Sequence, residues 1–309
     1  MLKKIRSGLF LSLILPWWLI ISTPAPASEI VMYETDSAYH HIRIVQDGMI
    51  RGLKFDNNYC QSTVDIINSL KGHFNYIELL FESFVFKSDP RNMLILGLGG
   101  GSAPRLIHRF QPNVDINIVE LDPAVLDVAQ RYFFFDTTKL PVTISDARAF
   151  LRRSEDKYDI IIQDTYSSNR YGTFIPFHLA TLEYFKLVSD RLSSDGVLAI
   201  NVIGTVYGGE PNRVITSVYK TMREVFPQLY MFGANDVQNV VIVATKDKVR
   251  KQGAQFSAWA RDLVRKNPGM YPDGFLKATE YQFFDTLPAN LSNALVLTDD
   301  YAPTDNLLR

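Results

Sequence analysis

The spacing of hydrophobic residues changes partway along the chain, and the first region reads as β structure. Residues 39–45 alternate between polar and apolar side chains at a period of two, as half-buried strands do. A turn at residues 46–48 and a second apolar stretch over residues 49–55 complete a predicted β-hairpin. Residues 74–86 are apolar on every side and predict a buried helix. We therefore expect residues 28–88 to form a small β-hairpin module with a connecting helix.

Beyond this module, short apolar runs alternate with longer amphipathic stretches. Apolar runs bounded by turn residues predict strands, and apolar positions three and four residues apart predict helices. The predicted strands cover residues 93–96, 116–121, 142–144, 158–162 and 197–202, and the predicted helices cover residues 102–110, 123–132, 177–192 and 212–225. Buried strands that alternate with amphipathic helices predict an α/β fold, in which helices cover both faces of a parallel sheet.

The last two predicted strands, residues 229–232 and 240–245, follow each other without an intervening helix. Strands joined by a short connection pair antiparallel, so we expect an antiparallel strand at one edge of the sheet. This feature distinguishes a methyltransferase-type sheet from a dinucleotide-binding one. We assign residues 89–247 to a nucleoside-binding domain. Residues 248–309 are polar and less regular, and we assign them to a C-terminal extension.

The first 27 residues are typical of an export signal. Three basic residues precede an apolar run over residues 8–22, and a small-x-small pattern ends at Ala27. The apolar run is shorter than the about 20 residues that a membrane-spanning helix needs. We expect a signal peptide over residues 1–27 and a periplasmic or secreted protein. An uncleaved N-terminal anchor is the alternative, and only then would the chain contact a membrane.

Composition narrows the choice of partners. The 32 basic and 33 acidic residues give a net charge of -1, so no basic excess indicates a nucleic-acid partner. The one cysteine, Cys60, excludes an internal disulfide and a cysteine-based zinc site. The five histidines are scattered, without a metal-binding spacing. We therefore predict no metal site and no nucleic-acid partner.

The first predicted strand of the sheet ends in a glycine loop. Gly97, Gly99 and Gly101 form a G-x-G-x-G pattern in front of a predicted helix. Glycines let the backbone turn sharply and approach a ligand closely. A dinucleotide-binding loop would have Gly or Ala at the position of Ser102. The pattern therefore favours a nucleoside-sulfonium ligand over a dinucleotide, and a tight strand-to-helix turn is the structural alternative.

Three carboxylates follow the next predicted strands. Glu120 ends the second strand and can accept hydrogen bonds from both hydroxyls of a ribose. Asp146 follows the third strand, where it can accept from an adenine amino group or cap the helix that starts at Ala147. Asp164 follows the fourth strand, where it can act as a general base beside the nucleoside or hold a turn.

Several weak patterns follow one order along residues 34–202, and a further one closes the chain. They are residues 37–44 (S-A-Y-H-H-I-R-I) after Glu34, residues 53–56 (L-K-F-D) with Gln61, residues 76–80 (Y-I-E-L-L), residues 94–101 (L-I-L-G-L-G-G-G), residues 119–122 (V-E-L-D), residues 146–147 (D-A), residues 158–164 (Y-D-I-I-I-Q-D) and residues 297–303 (L-T-D-D-Y-A-P). Together they resemble the spermidine synthase (polyamine aminopropyltransferase) family, specifically its divergent spermidine-synthase-like branch.

This resemblance implies a small N-terminal β domain followed by a seven-stranded, Rossmann-like sheet of the class I S-adenosylmethionine-methyltransferase type, in a chain that forms homodimers. It also implies an enzyme that moves an aminopropyl group from decarboxylated S-adenosylmethionine to an amine or polyamine. The donor is then a co-substrate, and no cofactor stays bound.

The resemblance also assigns roles to individual residues. Asp164 would deprotonate the attacking amine, Glu120 would hold the ribose and Asp146 the adenine. The positions implied for the donor are His40, Gly97, Gly99, Gly101, Glu120, Asp146 and Ala147, and those implied for the amine are Tyr39, Tyr76 and Ser167.

Three positions depart from the family's pattern. His40 stands where the family has a Gln after the position of Tyr39. Gly100 stands where the family's glycine loop has an Asp that binds the donor's ammonium group, and Ser167 stands where a second Asp helps to bind the amine. Each lost charge-assisted contact weakens polycation binding by about 1.5–3 kcal/mol. Two alternatives therefore stay open. One is a methyltransferase that uses intact S-adenosylmethionine, which Gly100 favours; the other is a non-catalytic, exported protein that binds a nucleoside or polyamine.

Overall fold

The computed structural model describes residues 29–57, 59–169, 172–204, 212–285 and 291–307. The predicted signal peptide, residues 1–27, lies outside the described residues. Within those ranges, no helix is both long enough and apolar enough to cross a membrane.

A four-stranded antiparallel sheet forms the N-terminal part of the described chain. In spatial order its strands are β1 (Ile30–Asp36), β2 (His41–Asp47), β3 (Ile50–Lys54) and β4 (Cys60–Asp65). The predicted hairpin is the central β2–β3 pair, so the module has one more strand on each side than the sequence predicts. The pattern misses β1 because Ile30, Val31 and Met32 are consecutive and all exposed, which leaves no period of two.

Ten further strands follow. They are β5 (Asn92–Leu96), β6 (Asp115–Glu120), β7 (Val142–Ile144), β8 (Tyr158–Gln163), β9 (Ser167–Asn169), β10 (Gly172–Phe174), β11 (Leu192–Ile203), β12 (Gln228–Gly233), β13 (Asn239–Thr245) and β14 (Phe283–Phe284). β9 and β10 pair as a separate two-stranded ribbon. The others form one eight-stranded sheet in the order β14-β12-β13-β11-β8-β5-β6-β7.

Helices cover both faces of the eight-stranded sheet. They are α1 (Tyr76–Leu79), α2 (Ser83–Phe86), α3 (Ser102–Phe110), α4 (Pro123–Tyr132), α5 (Ala147–Arg153), α6 (Leu182–Arg191), α7 (Arg213–Arg223), α8 (Gly253–Lys266) and α9 (Phe275–Tyr281), with short 3-10 turns at Leu80–Glu82, Phe177–Leu179 and Leu291–Asn293. The caps of four helices accept a hydrogen bond from a backbone N–H of the first turn, and they are Asp122, Asp146, Thr181 and Asn212.

The methyltransferase-type sheet is confirmed, and the two-residue β14 adds an eighth strand to the seven that the family resemblance implies. β5, β6, β7, β8 and β11 run parallel, and β13 pairs antiparallel with both β11 and β12. The expected position of the antiparallel strand is wrong, because β13 is inserted between β11 and β12 and the short β14 forms the edge. Helix α7 connects β11 to β12, which lies two strand positions away in the sheet. The tight β12–β13 turn then brings β13 back into the position between β11 and β12.

The helix predicted over residues 177–192 is divided into two elements. A 3-10 turn covers Phe177–Leu179, and α6 starts at Leu182 after the cap residue Thr181. The Thr181 side chain accepts a hydrogen bond from the Tyr184 N–H, 3.2 Å away. Threonine is a favoured helix cap, so local capping overrides the amphipathic pattern here.

The expectation of an irregular C-terminal extension is wrong for α8 and α9. Phe256, Ala260 and Leu263 lie on one buried face of α8, at the spacing that an amphipathic helix gives. In α9, Phe275 and Ala278 are buried as well. Apolar residues also occupy other positions of these helices, such as Ala258 and Trp259 in α8 and Leu276 in α9, so the amphipathic pattern is less clear.

The N-terminal sheet packs on α4. Ile42, Leu53 and Val64 of the sheet form one buried cluster with Val125 and Val128 of that helix. The sheet therefore lies over the carboxyl ends of the central strands, where an open α/β sheet binds its ligands.

The side chain of Glu82 generates a prediction about stability. This carboxyl is fully buried, and its oxygens accept from Thr279 Oγ1 at 2.9 and 3.1 Å. Burial raises its pKa well above the usual value, and the Thr279 hydrogen bond only partly opposes this. The folded state thus holds a proton that the unfolded chain releases above about pH 4.5, so stability falls as pH rises from there to the raised pKa.

We predict that Glu82→Gln removes this pH dependence. Between pH 5 and pH 8 the variant should gain about 1 kcal/mol or more in free energy of unfolding relative to the wild type. Urea unfolding at both pH values measures the difference, with the exposed Glu155→Gln as the matched control. Parallel pH profiles for the Glu82 variant and the wild type would contradict the prediction.

Candidate active site

A cavity lies between the carboxyl ends of the central strands and the N-terminal sheet. The sequence-predicted residues that line it are His40, Tyr76, Gly97, Gly99, Glu120, Asp146, Ala147, Asp164 and Ser167. The structure thus brings the glycine loop after β5, the acidic ends of β6 and β8 and the start of α5 to one place. Gly101 and Tyr39 are outside the lining: Gly101 caps α3 with the ring of Phe135 against it, and Tyr39 is 48% exposed.

The glycine loop allows two central strands to come into close contact at their ends. Gly97 has φ +96°, and a Cβ atom there would overlap the backbone carbonyl oxygen of Asp164. Only glycine adopts this conformation readily and leaves that space free. The loop after β5 therefore lies directly against the residue that follows β8.

Glu120, at the end of β6, holds the glycine loop in place. Its Oε2 accepts from the Leu98 N–H at 2.9 Å, and its Oε1 accepts from the Asp122 N–H at 2.9 Å. Burial raises the pKa of this carboxyl, and the backbone donors oppose the shift. The carboxylate lies beside the cavity with lone pairs left for further donors, as the binding of ribose hydroxyls requires.

Asp146 both caps a helix and lines the cavity. Its Oδ1 accepts from the Ala149 N–H at 2.7 Å, and its Oδ2 lies 2.9 Å from Nε2 of His178. Burial acts to raise the pKa of the Asp146 carboxyl, but the hydrogen bonds from Ala149 and His178 outweigh it and hold the pKa below its usual value. Asp146 is therefore a carboxylate held in place at the N-terminus of α5.

Asp164 is a half-buried acid of the cavity whose two oxygens both accept side-chain hydrogen bonds. Its Oδ2 accepts from the Tyr76 hydroxyl at 3.0 Å, and its Oδ1 accepts from Nδ2 of Asn201 at 2.9 Å. Asn201 in turn accepts from Nδ2 of Asn239 at 2.9 Å, and its backbone carbonyl accepts from the Tyr166 hydroxyl at 2.7 Å. Burial raises the pKa of Asp164, and the Asn201 and Tyr76 donors oppose the shift.

The remaining sequence-predicted residues frame the opposite walls. The His40 ring stacks on Phe55 with the ring centroids 4.1 Å apart, and its Nδ1 lies 3.1 Å from Asp56 Oδ2. Ser167 starts the β9–β10 ribbon and pairs with Phe174 across it. His40 thus belongs to the wall made by the N-terminal sheet, and Ser167 belongs to the wall beyond Asp164.

Sequence reasoning missed several polar residues of the cavity, among them Asn201, Asn239 and His178. A signal was present for Asn201, because it is the one polar residue in the apolar run of residues 197–203 at the end of a buried strand. Asn239 precedes a fully apolar run in the same way. His178 carried no comparable signal, since its contact with Asp146 joins residues 32 positions apart.

The charges of the cavity wall are predominantly negative. Among the described lining residues, the acids are Glu120, Asp146 and Asp164, and no lysine or arginine accompanies them. A low-dielectric site with this balance attracts cations. The arrangement suits a cationic ligand that also carries hydroxyls and a ring amino group.

Comparison with known proteins gives one family for most of the central region. Residues 73–237 match the model of the spermine/spermidine synthase domain. The chain is 31% identical to the polyamine aminopropyltransferase of Vibrio vulnificus over 243 residues, which are 77% of this chain and 76% of that protein.

Two further similarities bear on the fold and on the alternative reactions. The crystal structure of spermidine synthase from Thermotoga maritima has a TM-score of 0.64 at 20% sequence identity, and the match covers 87% of this chain and 88% of that one. An N-terminal histidine N-methyltransferase of Emericella nidulans is 32% identical over 170 residues, which are 51% of this chain but only 28% of that protein.

The hydrogen bonds to Asp164 predict how one variant changes its ionisation. Asn201→Leu removes the donor to Oδ1, which favours the ionised form, so the pKa of Asp164 should rise further. Carbon-13 NMR of labelled Asp carboxyls measures the titration midpoint, and the Asp146 signal serves as an internal control. An unchanged or lower midpoint for Asp164 would show that Asn201 does not stabilise the carboxylate.

Proposed function

Since the chain belongs to the spermine/spermidine synthase family, we propose that it transfers an aminopropyl group from decarboxylated S-adenosylmethionine to an amine. It is a transferase of the polyamine aminopropyltransferase type. The observation that carries the proposal is the half-buried carboxylate of Asp164, held by Tyr76 and Asn201 on the cavity side of the glycine loop.

The donor's nucleoside half fits the acids on one side of the glycine loop. Glu120 would accept hydrogen bonds from the ribose hydroxyls, since each of its oxygens keeps a lone pair beyond its backbone contact. Asp146 would accept from the adenine amino group, with Ala147 beside it at the start of α5. The sulfonium would then lie towards Asp164, on the other side of the loop.

The amine must lose a proton before it can attack carbon. An alkyl ammonium has a pKa near about 10, like lysine, so it is mostly protonated at neutral pH. Asp164 would take that proton, and the freed nitrogen lone pair would form a bond to the aminopropyl carbon next to sulfur. The carbon–sulfur bond breaks at the same time, and its electron pair leaves with methylthioadenosine.

Burial prepares Asp164 for this role. The raised pKa makes its carboxylate a stronger base than an exposed aspartate. Tyr76 and Asn201 fix the direction of both oxygens, so the base stays oriented towards the amine.

Tyr76 and Ser167 would line the path of the amine, and His40 would line the path of the donor. These roles, the homodimer and the export of the protein remain predictions.

A second candidate reaction is methyl transfer from intact S-adenosylmethionine, and Gly100 favours it. A Cβ atom at Gly100 would lie 2.8 Å from both Phe133 Cδ1 and Ser62 Oγ, so the packing leaves no room for a side chain. The carboxylate that the family pattern has at this position would pair with a donor ammonium and repel a donor carboxylate. The relative from Emericella nidulans is named as a methyltransferase, which keeps this candidate open.

We predict that Asp164→Asn retains methylthioadenosine binding and lowers turnover by roughly 10²–10⁴-fold, the usual contribution of a general base. Asn is nearly isosteric and can keep the hydrogen bond from Tyr76. Calorimetry with methylthioadenosine measures binding, and chromatography of methylthioadenosine released from donor and amine measures turnover. The exposed Asp156→Asn is the matched control and should behave as the wild type. Full turnover in the Asp164 variant would assign the base elsewhere.

The two candidate reactions predict different products from the same mixtures. With decarboxylated S-adenosylmethionine and a set of primary amines, we expect methylthioadenosine. With intact S-adenosylmethionine and the same amines, we expect no S-adenosylhomocysteine. Mass spectrometry of both mixtures decides between them. Formation of S-adenosylhomocysteine without methylthioadenosine would replace aminopropyl transfer by methyl transfer.

A further inference from the structure

The closing L-T-D-D-Y-A-P motif of residues 297–303 has no part in the cavity wall, yet it is firmly docked. Leu297 is fully buried, and its carbonyl accepts from the Leu182 N–H at 2.8 Å. Thr298 and Tyr301 exchange two backbone hydrogen bonds at 3.0 and 3.1 Å, which closes a tight turn. This turn presents Asp299 to the start of α5 and α6.

Asp299 joins these two helix starts through one carboxylate. Its two oxygens accept from Nη1 and Nη2 of Arg148 at 2.7 and 2.6 Å, a two-point ion pair. Oδ1 also accepts from Thr181 Oγ1 at 2.7 Å. Thr181 is fully buried and the Arg148 side chain nearly so. An arginine that is buried to this degree depends on its partner, because removing the partner leaves a charge without compensation.

The same arginine holds a wall of the cavity. Nη1 of Arg148 also donates to the His178 carbonyl oxygen at 3.2 Å, in the 3-10 turn between β10 and α6. His178 contacts Asp146, and Leu179 of the same turn accepts from Gln163 Nε2 at 2.9 Å. Asp299 is thus connected to Asp146 through Arg148 and His178, although no atom of Asp299 lies in the cavity wall.

We propose that Asp299 is a positioning residue for the nucleoside half of the site. The closing motif of residues 297–303, which we call the brace, holds Asp299 in place. This inference rests on the proposed function for the identity of the ligand. It adds that nucleoside binding requires the ion pair between Arg148 and Asp299, which lies outside the cavity. Loss of Asp299 frees Arg148, the turn with His178 shifts, and Asp146 loses its alignment with the adenine. Asp164, Tyr76 and Asn201 belong to other contacts, so the amine half stays intact.

The test compares the two halves of the site in three variants. For Asp299→Ala, calorimetry should show methylthioadenosine binding weakened by at least about tenfold, the effect of losing one charge-assisted contact. Asp299→Asn keeps the shape and loses the ion pair, and should weaken binding in the same direction. The adjacent exposed Asp300→Asn is the matched control and should bind as the wild type. The KM for the amine should stay within about twofold in all of them.

Selective loss of nucleoside affinity supports the brace, and two results would overturn it. One is an unchanged methylthioadenosine affinity in both Asp299 variants. The other is an equal loss in nucleoside affinity and in amine KM, which would indicate a general loosening of the fold. If the alanine variant does not fold, the asparagine variant decides. If the wild type binds methylthioadenosine but converts no donor, the proposed function is wrong. The comparison of methylthioadenosine affinities would still test the role of Asp299.

Discussion

The rest of the site depends on how the chain holds the half-buried carboxylate of Asp164. A buried carboxylate without donors is strongly destabilising. Here one donor comes from Tyr76 on the helix that connects the two sheets, and the other comes from Asn201 at the end of β11. Asn201 needs Asn239 on the antiparallel strand β13 to hold its own amide. The position of β13 inside the sheet, rather than at its edge, is what makes this chain of hydrogen bonds possible.

The N-terminal sheet is tied to the same site through Glu120. Ser37 donates to Asp122 Oδ2 at 2.5 Å, and the Asp122 N–H donates to Glu120, which in turn holds the glycine loop at Leu98. Arg51 adds a 2.9 Å hydrogen bond to the carbonyl oxygen of Tyr132 at the end of α4. These hydrogen bonds hold the N-terminal sheet in place over the cavity. Because the sheet lies over the carboxyl ends of the strands, electrostatic contacts beneath it are stronger than at an open surface.

Sequence patterns predicted what depends on neighbours along the chain. Strands β5 and β8 have continuous apolar runs, and β6 and β7 are interrupted only by Asn117 and Thr143. Parallel strands bring their ends to one edge, so Glu120, Asp146 and Asp164 could be expected to meet. Contacts between distant segments were not predictable in the same way. His178 reaches Asp146 only because a threonine cap divides an apparent helix, and Tyr39 points away from the cavity although its neighbour His40 lines it. Helices α8 and α9 were missed because their apolar residues are not confined to one face, which leaves the helical period less clear.

The raised pKa of Asp164 also links its ionisation to the donor. Burial without a cation favours the neutral acid, which cannot accept a proton from an amine. In the proposed reaction the donor brings a sulfonium close to this carboxyl, and a nearby positive charge favours the ionised form. Linkage is reciprocal, so the ionised carboxylate must strengthen donor binding by the same free energy that the donor contributes to ionisation. Donor binding would therefore favour the basic form of Asp164, and a half-buried aspartate couples to the donor's charge more strongly than an exposed one.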